Sequence, residues 1–482
     1  MNSAPPLATT ASGPVRGERR ADGSLRFLGI PYAQPPVGAL RFAAPVPPEP
    51  WTEPLDATAY GPTAQRHAVT EVTTIPEPTI AGEGILNLNV FTPGTDPEAP
   101  LPVLVWIHGG GFVAGSAASP WYDGSAFNRD GVILVSVGYR LGIEGFLHLD
   151  GAPDNRGVLD WIAALEWVRD NIAAFGGDPA KVTIAGQSAG GGAVLSLLTV
   201  PAARGLFRGA ISASGVVSHP DGPEVGRAAA RLFTARTGKA ATAEALRGLD
   251  HGEMFELQTR LLEPGTDREG LPPMGTLAPF ADGELIPQPV RTALTEGDAG
   301  ADIPLLIGCT AHEFNVLPEM PRTPPLPEVL GFLGLDPARA DVFRDVYRDL
   351  LPDAYFGQAL TDATFRYPAV AVADVRAARG RPTWLYEFDW TSPVNGAAIH
   401  CLDVPFVFDL LDAEGVTLVA GTAPPQALAD AVHRAWVAFV RDQDPGKEWP
   451  RYAKDGRRAM VWSADSRVEE DPLSRVRTVW SP

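Results

Sequence analysis

Cysteine is nearly absent from this chain of 482 residues: Cys309 and Cys401 are the only two. This scarcity excludes a small scaffold held together by several disulfides. No apolar run approaches the ~18 residues that a membrane-spanning helix needs, so we expect no membrane partner. Residues 1–20 also lack the hydrophobic core of a signal peptide, which favours a cytoplasmic location.

Positively charged residues are also scarce relative to negatively charged ones. The 39 lysines and arginines face 58 aspartates and glutamates, which gives a net charge of −19 at pH 7. Such a balance argues against nucleic acid and anionic membranes as partners, and it disfavours polyanionic substrates. The few cations are mostly arginine, a bias typical of bacterial proteins from GC-rich genomes.

The most informative segment is Gly186-Gln187-Ser188-Ala189-Gly190. Residues 182–185 before it are β-branched and apolar, which predicts a buried strand, and residues 193–198 after it predict a helix. A serine on a sharp turn between a strand and a helix projects its hydroxyl out of the sheet. The segment therefore predicts that Ser188 is a nucleophile, rather than part of an ordinary Gly/Ser turn.

A glycine run upstream provides what such a serine needs. Residues 104–107 predict a second apolar strand, and His108-Gly109-Gly110-Gly111-Phe112 follows it. Consecutive glycine amides can converge on the oxyanion that forms when a serine attacks an ester. We expect the donors to be the N–H groups of Gly110, Gly111 and Ala189. A flexible hinge or a phosphate loop is the alternative, but the lysine and Ser/Thr of a phosphate loop are missing.

These two motifs give the chain a resemblance to the type-B carboxylesterase/lipase family, the cholinesterase-like α/β-hydrolases. It looks most similar to the family's bacterial carboxylesterases of the p-nitrobenzyl-esterase kind. Further matching segments spread over nearly the whole chain, at residues 27–33, 35–42, 86–91, 155–190 and 436–450. The resemblance implies an α/β fold with a mostly parallel, twisted central sheet flanked by helices. It also implies one catalytic domain, 1–482, with insertions at roughly 220–300 and 318–380 that roof the active site.

The resemblance supplies the remaining catalytic residues. Glu313 matches the family's acid, although His312 stands where the family has an aspartate, and His400 matches the family's base. Ser188, Glu313 and His400 occur in the nucleophile–acid–base order of α/β-hydrolases. Ser214 matches a serine that supports the acid, and Asp403 is expected to steady the loop of His400.

The implied activity is hydrolysis of small neutral carboxylic esters through an acyl-enzyme intermediate. No metal and no cofactor is expected, because no His/Cys/Asp cluster has the spacing of metal ligands. The partner is a small-molecule ester, and the oligomeric state stays open. Gln187 occupies the position of a glutamate in cholinesterases, so choline esters are not expected as preferred substrates.

Two other functions stay open at this point. A catalytically inactive relative would use the same fold to bind a partner, but Ser188, Glu313 and His400 are all present. An interfacial lipase would need a hydrophobic lid, whereas the candidate lid at residues 261–268 is polar.

The family frame also suggests structural pairs and a pocket. Arg41 is expected to pair with Glu83, and Arg140 with Asp160. Cys309 and Cys401 flank the acid and the base, where free thiols lining the pocket are favoured but a bridge stays open. Four further side chains are expected to shape the pocket: Phe112, Met274, Phe280 and Phe314.

Overall fold

A mixed sheet of eleven strands forms the centre of the structure, a computed structural model that describes residues 5–64, 74–96, 98–217, 219–265, 267–315 and 324–481. Eleven of the following strands belong to this sheet and three to a smaller one. In chain order the strands of the described residues are β1 (Leu7–Thr10), β2 (Gly13–Arg16), β3 (Glu18–Arg19), β4 (Leu25–Pro31), β5 (Leu55–Asp56), β6 (Asn87–Thr92), β7 (Leu101–Ile107), β8 (Ile133–Val137), β9 (Gly177–Gln187), β10 (Gly209–Ala213), β11 (Leu305–Thr310), β12 (Thr383–Phe388), β13 (Arg458–Trp462) and β14 (Arg467–Glu470).

Helices connect the consecutive strands from β7 to β13, and one more helix follows β14. They are α1 (Ser125–Arg129), α2 (Gly142–Phe146), α3 (Arg156–Asn171), α4 (Ala189–Leu197), α5 (Pro223–Thr237), α6 (Ala243–Arg247), α7 (His251–Leu262), α8 (Val290–Thr295), α9 (Leu326–Phe332), α10 (Ala340–Val346), α11 (Tyr355–Thr361), α12 (Tyr367–Ala378), α13 (Val404–Val407), α14 (Thr417–Ala420), α15 (Gln426–Asp442) and α16 (Ser474–Trp480). A π-helical turn, Asp362–Arg366, joins α11 to α12. No helix in the described ranges is both long and apolar enough to cross a membrane.

The strand order in the large sheet is β14-β13-β12-β11-β10-β9-β7-β8-β6-β4-β3. The seven strands from β13 to β8 run parallel, and antiparallel pairs occur only towards the two edges, at β13–β14 and from β8 through β6 and β4 to β3. The predicted mostly parallel α/β sheet is therefore confirmed. Strands β1, β2 and β5 form a separate small sheet.

The central strands are apolar on both faces because helices cover both sides of the sheet. In β7, Val103, Val105 and Ile107 pack into the same buried cluster as Trp161 of α3. Leu104 and Trp106 point the other way, into the cluster that contains Trp436 of α15. Two-sided burial is what turns a parallel strand into a continuous hydrophobic run.

One of the two predicted ion pairs is present, and the other forms with a different partner. The Arg140 guanidinium binds both carboxylate oxygens of Asp160, with Nε–Oδ2 at 2.9 Å and Nη2–Oδ1 at 2.7 Å. The predicted partner of Arg41 was wrong: its Nε donates to Glu144 Oε1 at 2.8 Å, whereas Glu83 is exposed. Glu144 lies on α2, and tertiary packing brings it to Arg41 across a separation that no local pattern reveals.

Asp160→Asn is expected to lower the free energy of unfolding by roughly 3–5 kcal/mol, because it leaves the Arg140 guanidinium charged and buried. The side chains of Arg140 and Asp160 are only 2% and 0% exposed. Chemical denaturation measures the change. The matched control is Asp341→Asn, which breaks the exposed pair between Asp341 and Arg344 and should change stability by less than about 0.5 kcal/mol. Equal effects of the two variants would contradict this expectation.

Candidate active site

Ser188 lies at the end of β9, immediately before α4, on a backbone that few residues adopt. Its φ and ψ are 59° and −124°, and a positive φ is strained for a residue with a side chain. The flanking glycines make the turn possible: a Cβ on Gly190 would lie 2.0 Å from the carbonyl oxygen of Ile107, and one on Gly186 would lie 2.4 Å from Gly190. The strand–turn–helix geometry predicted around Ser188 is present.

His400 joins Ser188 to Glu313, although the three residues are far apart in sequence. The Nε2 atom of His400 lies 2.8 Å from Ser188 Oγ, and Nδ1 forms a short hydrogen bond with Glu313 Oε2. The backbone N–H of His400 also donates to the Glu313 carbonyl oxygen at 3.0 Å. The structure thus places a hydroxyl, an imidazole and a carboxylate in one hydrogen-bonded line.

Electrostatics favour the imidazolium form of His400. Burial works against the charged ring, but the neighbouring Cys401 and the Glu313 carboxylate outweigh it and raise the pKa of His400 well above its ordinary value. Because a general base must be neutral, such an arrangement works best above the pKa of the imidazolium.

The second oxygen of Glu313 is held from two directions. Its Oε1 atom accepts hydrogen bonds from Ser214 Oγ at 2.6 Å and from the Thr310 backbone N–H at 2.8 Å. Ser214, which follows β10, has a φ of 46°, so its backbone is also in the left-handed region. The carboxylate is therefore oriented by groups from two adjacent strand ends.

His312, the departure from the family pattern, connects the loops of the acid and the base. Its backbone N–H donates to the Ala398 carbonyl oxygen at 3.1 Å, and its Nδ1 accepts from the Ala398 N–H at 3.1 Å. Burial, and then the charge of Arg366, lower the pKa of His312, which keeps the ring a neutral acceptor. His312 therefore stands where the family has an aspartate, and its two hydrogen bonds to Ala398 still hold the loop of Glu313 in place.

The glycine loop after β7 faces the same cavity as Ser188. Gly110 and Gly111 have φ values of 110° and 61°, and a Cβ on Gly110 would lie 2.2 Å from the Ala114 carbonyl oxygen. Among the described residues, the N–H groups of Gly110, Gly111 and Ala189 find no acceptor. All three residues line the cavity that contains Ser188 and His400, so three donors remain available there.

This catalytic cavity has a volume of about 360 Å³ and a mainly apolar lining. Of the four side chains expected to shape it, Phe112, Met274 and Phe314 line it. Phe280 does not, so that prediction was wrong: its backbone binds Asn155 and its ring packs against α5. Met274 belongs to the first predicted insertion. Further lining residues include Ile75, Glu77, Tyr122, Val216, Thr364, Phe365 and Cys401.

Phe365 is a site residue that no sequence pattern indicated. Its ring centroid lies 4.7 Å from that of His400, and the ring centroid of Phe314 lies 5.0 Å from the same imidazole. Phe365 belongs to the π-helical turn, which Arg366 holds by ion pairs to Asp362 and Glu387. π-turns in helices are frequent at functional sites, but their positions depend on tertiary packing.

Asp403 and Gln187 lie close to the same three residues. Asp403 is 1% exposed, and its Oδ2 accepts from Tyr386 Oη at 3.1 Å. Burial and the negative charge of Glu313 raise the pKa of Asp403 to about 7. The side-chain nitrogen of Gln187 lies 3.3 Å from His400 Nε2.

Both cysteines are free and buried. Cys401 lines the catalytic cavity, as expected, whereas Cys309 lies inside β11 away from it.

His108 is structural: burial lowers its pKa to about 4, and the neutral ring stacks on Tyr139 at 4.5 Å. No group of three or more histidine, cysteine, aspartate or glutamate side chains in the described part of the chain is arranged to hold a metal ion.

The model of the carboxylesterase family matches residues 4–324 and 353–477. The para-nitrobenzyl esterase of Bacillus subtilis (strain 168) is 37% identical over 98% of this chain and 97% of its own length. A medium-chain fatty acyl-CoA hydrolase precursor of Anas platyrhynchos is 35% identical over 94% of this chain and 88% of its own.

A solved structure of a PNB esterase superposes with a TM-score of 0.84 at 35% sequence identity, covering 98% of this chain and 99% of its own. The fold is accordingly the α/β-hydrolase fold, and the resemblance noted in the sequence is confirmed. The protein is a serine hydrolase of carboxylic esters, and the chain belongs to the carboxylesterase family.

Proposed function

We propose that the protein cleaves small neutral esters with Ser188 as nucleophile, His400 as general base and acid, and Glu313 as the carboxylate that orients the base. The observation that carries the proposal is the contact of one imidazole with both other groups, 2.8 Å to Ser188 Oγ on Nε2 and a short hydrogen bond to Glu313 on Nδ1. A serine hydroxyl is too weak an acid to ionise alone, so its attack needs this base.

In the first half-reaction, Ser188 Oγ attacks the ester carbonyl carbon while its proton passes to His400 Nε2. The carbonyl oxygen becomes an oxyanion, which the free N–H groups of Gly110, Gly111 and Ala189 stabilise. The Glu313 carboxylate stabilises the imidazolium and keeps the Nδ1 proton in place. The C–O bond to the alcohol then breaks, and His400 returns the proton to the leaving oxygen.

In the second half-reaction, water replaces the alcohol. His400 removes a proton from the water, whose oxygen attacks the acyl carbon of the Ser188 ester. The second tetrahedral intermediate uses the same oxyanion donors, and its collapse releases the carboxylic acid. Ser188 recovers its proton from His400, so the enzyme returns to its starting state with one water consumed.

Three further residues are proposed to position this machinery. Ser214 orients Glu313 through its 2.6 Å hydrogen bond, and Asp403 steadies the loop that follows His400. Gln187 provides a neutral amide next to the base, where a carboxylate would add negative charge. This is why we do not assign choline esters as the preferred substrates.

Residues 1–482 are proposed to act as one catalytic domain whose two insertions roof the site. Cavity-lining residues from both support this: Met274 and Gly275 from the first, and Thr364 and Phe365 from the second. Residues 218, 266 and 316–323 lie outside the described residues. A cytoplasmic location is proposed because the two free thiols suit a reducing compartment.

The enzyme is expected to prefer esters of short acyl chains and to show no rise in rate when the substrate exceeds its solubility. The candidate lid is polar: Glu263, Pro264 and Gly265 are exposed, and Asp267 pairs with Arg236 (Thr266 lies outside the described residues). A panel of p-nitrophenyl esters from acetate to palmitate, together with emulsified triglycerides, measures both properties. A sharp rise in activity on emulsified long-chain triglyceride would favour an interfacial lipase instead.

A further inference from the structure

A second cavity, which we call the distal cavity, adjoins the catalytic cavity. Its volume is about 740 Å³, and it shares Val216, Met274 and Thr364 with the catalytic cavity. Met274 is 40% exposed and forms part of the shared wall. Because methionine is unbranched and flexible, this wall can yield to a ligand that reaches from one cavity into the other.

The two cavities differ in their charged residues. Arg268, Arg291, His219 and Glu269 contribute ionisable groups to the distal cavity. Burial, and then the charge of Arg291, lower the pKa of His219, so its ring is neutral near pH 7. The lining of the distal cavity therefore contains two guanidinium groups and one carboxylate, although the net charge of the whole protein is −19.

Neither arginine is neutralised by an ion pair within the described residues. Arg291, on α8, lies over the ring of Tyr367 at 5.1 Å. The buried Asp221 is within its electrostatic reach, but Asp221 Oδ2 accepts from the Val290 backbone N–H at 2.8 Å instead. A cation held against an aromatic face remains able to bind an anion.

Arg268 is held by neutral acceptors. Its Nη2 donates to Thr276 Oγ1 at 2.6 Å and to the Pro272 carbonyl oxygen at 3.3 Å. The neighbouring Asp267 is occupied by Arg236. The guanidinium is thus fixed in position, and no carboxylate of the described residues forms an ion pair with it, which leaves it able to bind a carboxylate of a ligand.

Apolar side chains complete the walls of the distal cavity. Leu271, Pro272 and Phe332 line it, and Phe332 is 56% exposed although it is a large hydrophobic residue. A ligand that fills the distal cavity therefore needs an apolar segment as well as an anionic end.

We propose that the distal cavity binds a carboxylate at the far end of the substrate's alcohol portion, separated from the ester by an apolar spacer. This inference rests on the proposed hydrolysis of esters at Ser188, and it extends the substrates from neutral esters to esters with one remote anionic group. Because short acyl chains are expected to be preferred, the long, charged part lies on the alcohol. Hydrolysis breaks the ester C–O bond, the water oxygen enters the short acid, and the released product is an ω-hydroxy carboxylate.

The test compares the butyrate ester of a six-carbon ω-hydroxy acid with the butyrate ester of the corresponding ω-hydroxy amide, which is matched in length but uncharged. Wild-type enzyme is expected to show a higher kcat/KM for the acid, by about tenfold. Arg291→Gln and Arg268→Gln should each remove most of this preference, whereas Arg291→Lys should keep part of it. Glu269→Gln should increase the preference, and about 0.5 M salt should reduce it.

The control is Arg434→Gln, which changes the net charge equally. Arg434 is exposed on α15 and lines neither cavity, so its variant should keep the wild-type ratio. Because the readout is a ratio of two substrates, a general loss of folding or activity does not imitate the result. Equal use of acid and amide by the wild type, or an unchanged ratio in both glutamine variants, would overturn the inference while leaving the proposed function intact. Absence of Ser188-dependent hydrolysis of both esters would overturn the proposed function itself, and the inference with it.

Discussion

Replacement of Ser188 by alanine is expected to abolish hydrolysis of a p-nitrophenyl ester and covalent labelling by an organophosphonate. A serine hydrolase that loses its nucleophile typically loses roughly 10⁶ in kcat, because the oxyanion donors alone cannot form the acyl-enzyme. Ser188 is the serine that lies 2.8 Å from His400 Nε2 at the start of α4. Mass spectrometry of the labelled wild-type enzyme should locate the phosphonate on the peptide that contains it.

Ser196→Ala is the matched control for this experiment. Ser196 is also a buried serine of α4, but its hydroxyl donates to the Gly192 carbonyl oxygen at 2.8 Å and does not line the catalytic cavity. This variant should keep both activity and labelling. Persistent labelling of Ser188→Ala at another residue would show that the nucleophile has been misassigned.

Glu313→Gln is expected to lower kcat by roughly 10³–10⁴, the size of effect seen when the orienting carboxylate of a triad becomes an amide. The amide is a poor acceptor for the Nδ1 proton of His400 and no longer stabilises the imidazolium. Ser214 and the Thr310 N–H would still hold the side chain in place. The loss of activity would therefore come from the missing negative charge and the altered tautomer of His400, not from a displaced side chain. Steady-state kinetics of the folded variant measure this effect.

The pH profile provides a second readout of the same substitution. Glu313 is among the groups that raise the pKa of His400, and the base works only when neutral. Removing the carboxylate charge should lower that pKa and move the acidic limb of kcat/KM to lower pH. An acidic limb that stays in place would mean that another group sets it.

Asp403→Asn is the comparison that decides between the two carboxylates near His400. Asp403 binds Tyr386, and no hydrogen bond joins it to His400 within the described residues. Burial and the negative charge of Glu313 raise the pKa of Asp403 to about 7, so this position disfavours the charged form that a carboxylate needs to stabilise a cation. We expect a small loss of activity or stability. A loss larger than that of Glu313→Gln would identify Asp403 as the acid instead.

Several features could be predicted from the sequence because they depend on neighbouring residues. The turn at Ser188 needs glycines at fixed offsets between a strand and a helix, and the glycine loop needs residues without side chains. Both conditions can be recognised from a few consecutive residues of the sequence. The pairing of Arg140 with Asp160 and the parallel sheet followed from the family resemblance, which carries tertiary information that spacing does not.

Other features depend on which distant segments meet, and local patterns hold no record of that. Arg41 forms its ion pair with Glu144 rather than with Glu83. Phe280 packs away from the catalytic cavity, and Phe365, in a π-helical turn, contacts His400. The hydrogen bonds of His312 to Ala398 explain why a departure from the family motif is tolerated.

The sequence by itself determined the turn at Ser188 and the glycine loop, because short-range backbone geometry restricts which residues can form them. The fold class followed from the sequence only through the family resemblance. Tertiary structure alone decided that Phe365 lines the catalytic cavity and Phe280 does not, and that a distal cavity exists beside it. Arg268, Arg291 and Phe332 come from three separate segments, and only tertiary packing places their charges and apolar surfaces around one space. Recognition of a substrate depends on that arrangement, because the substrate must contact several side chains at once and these side chains are distant from one another in the sequence.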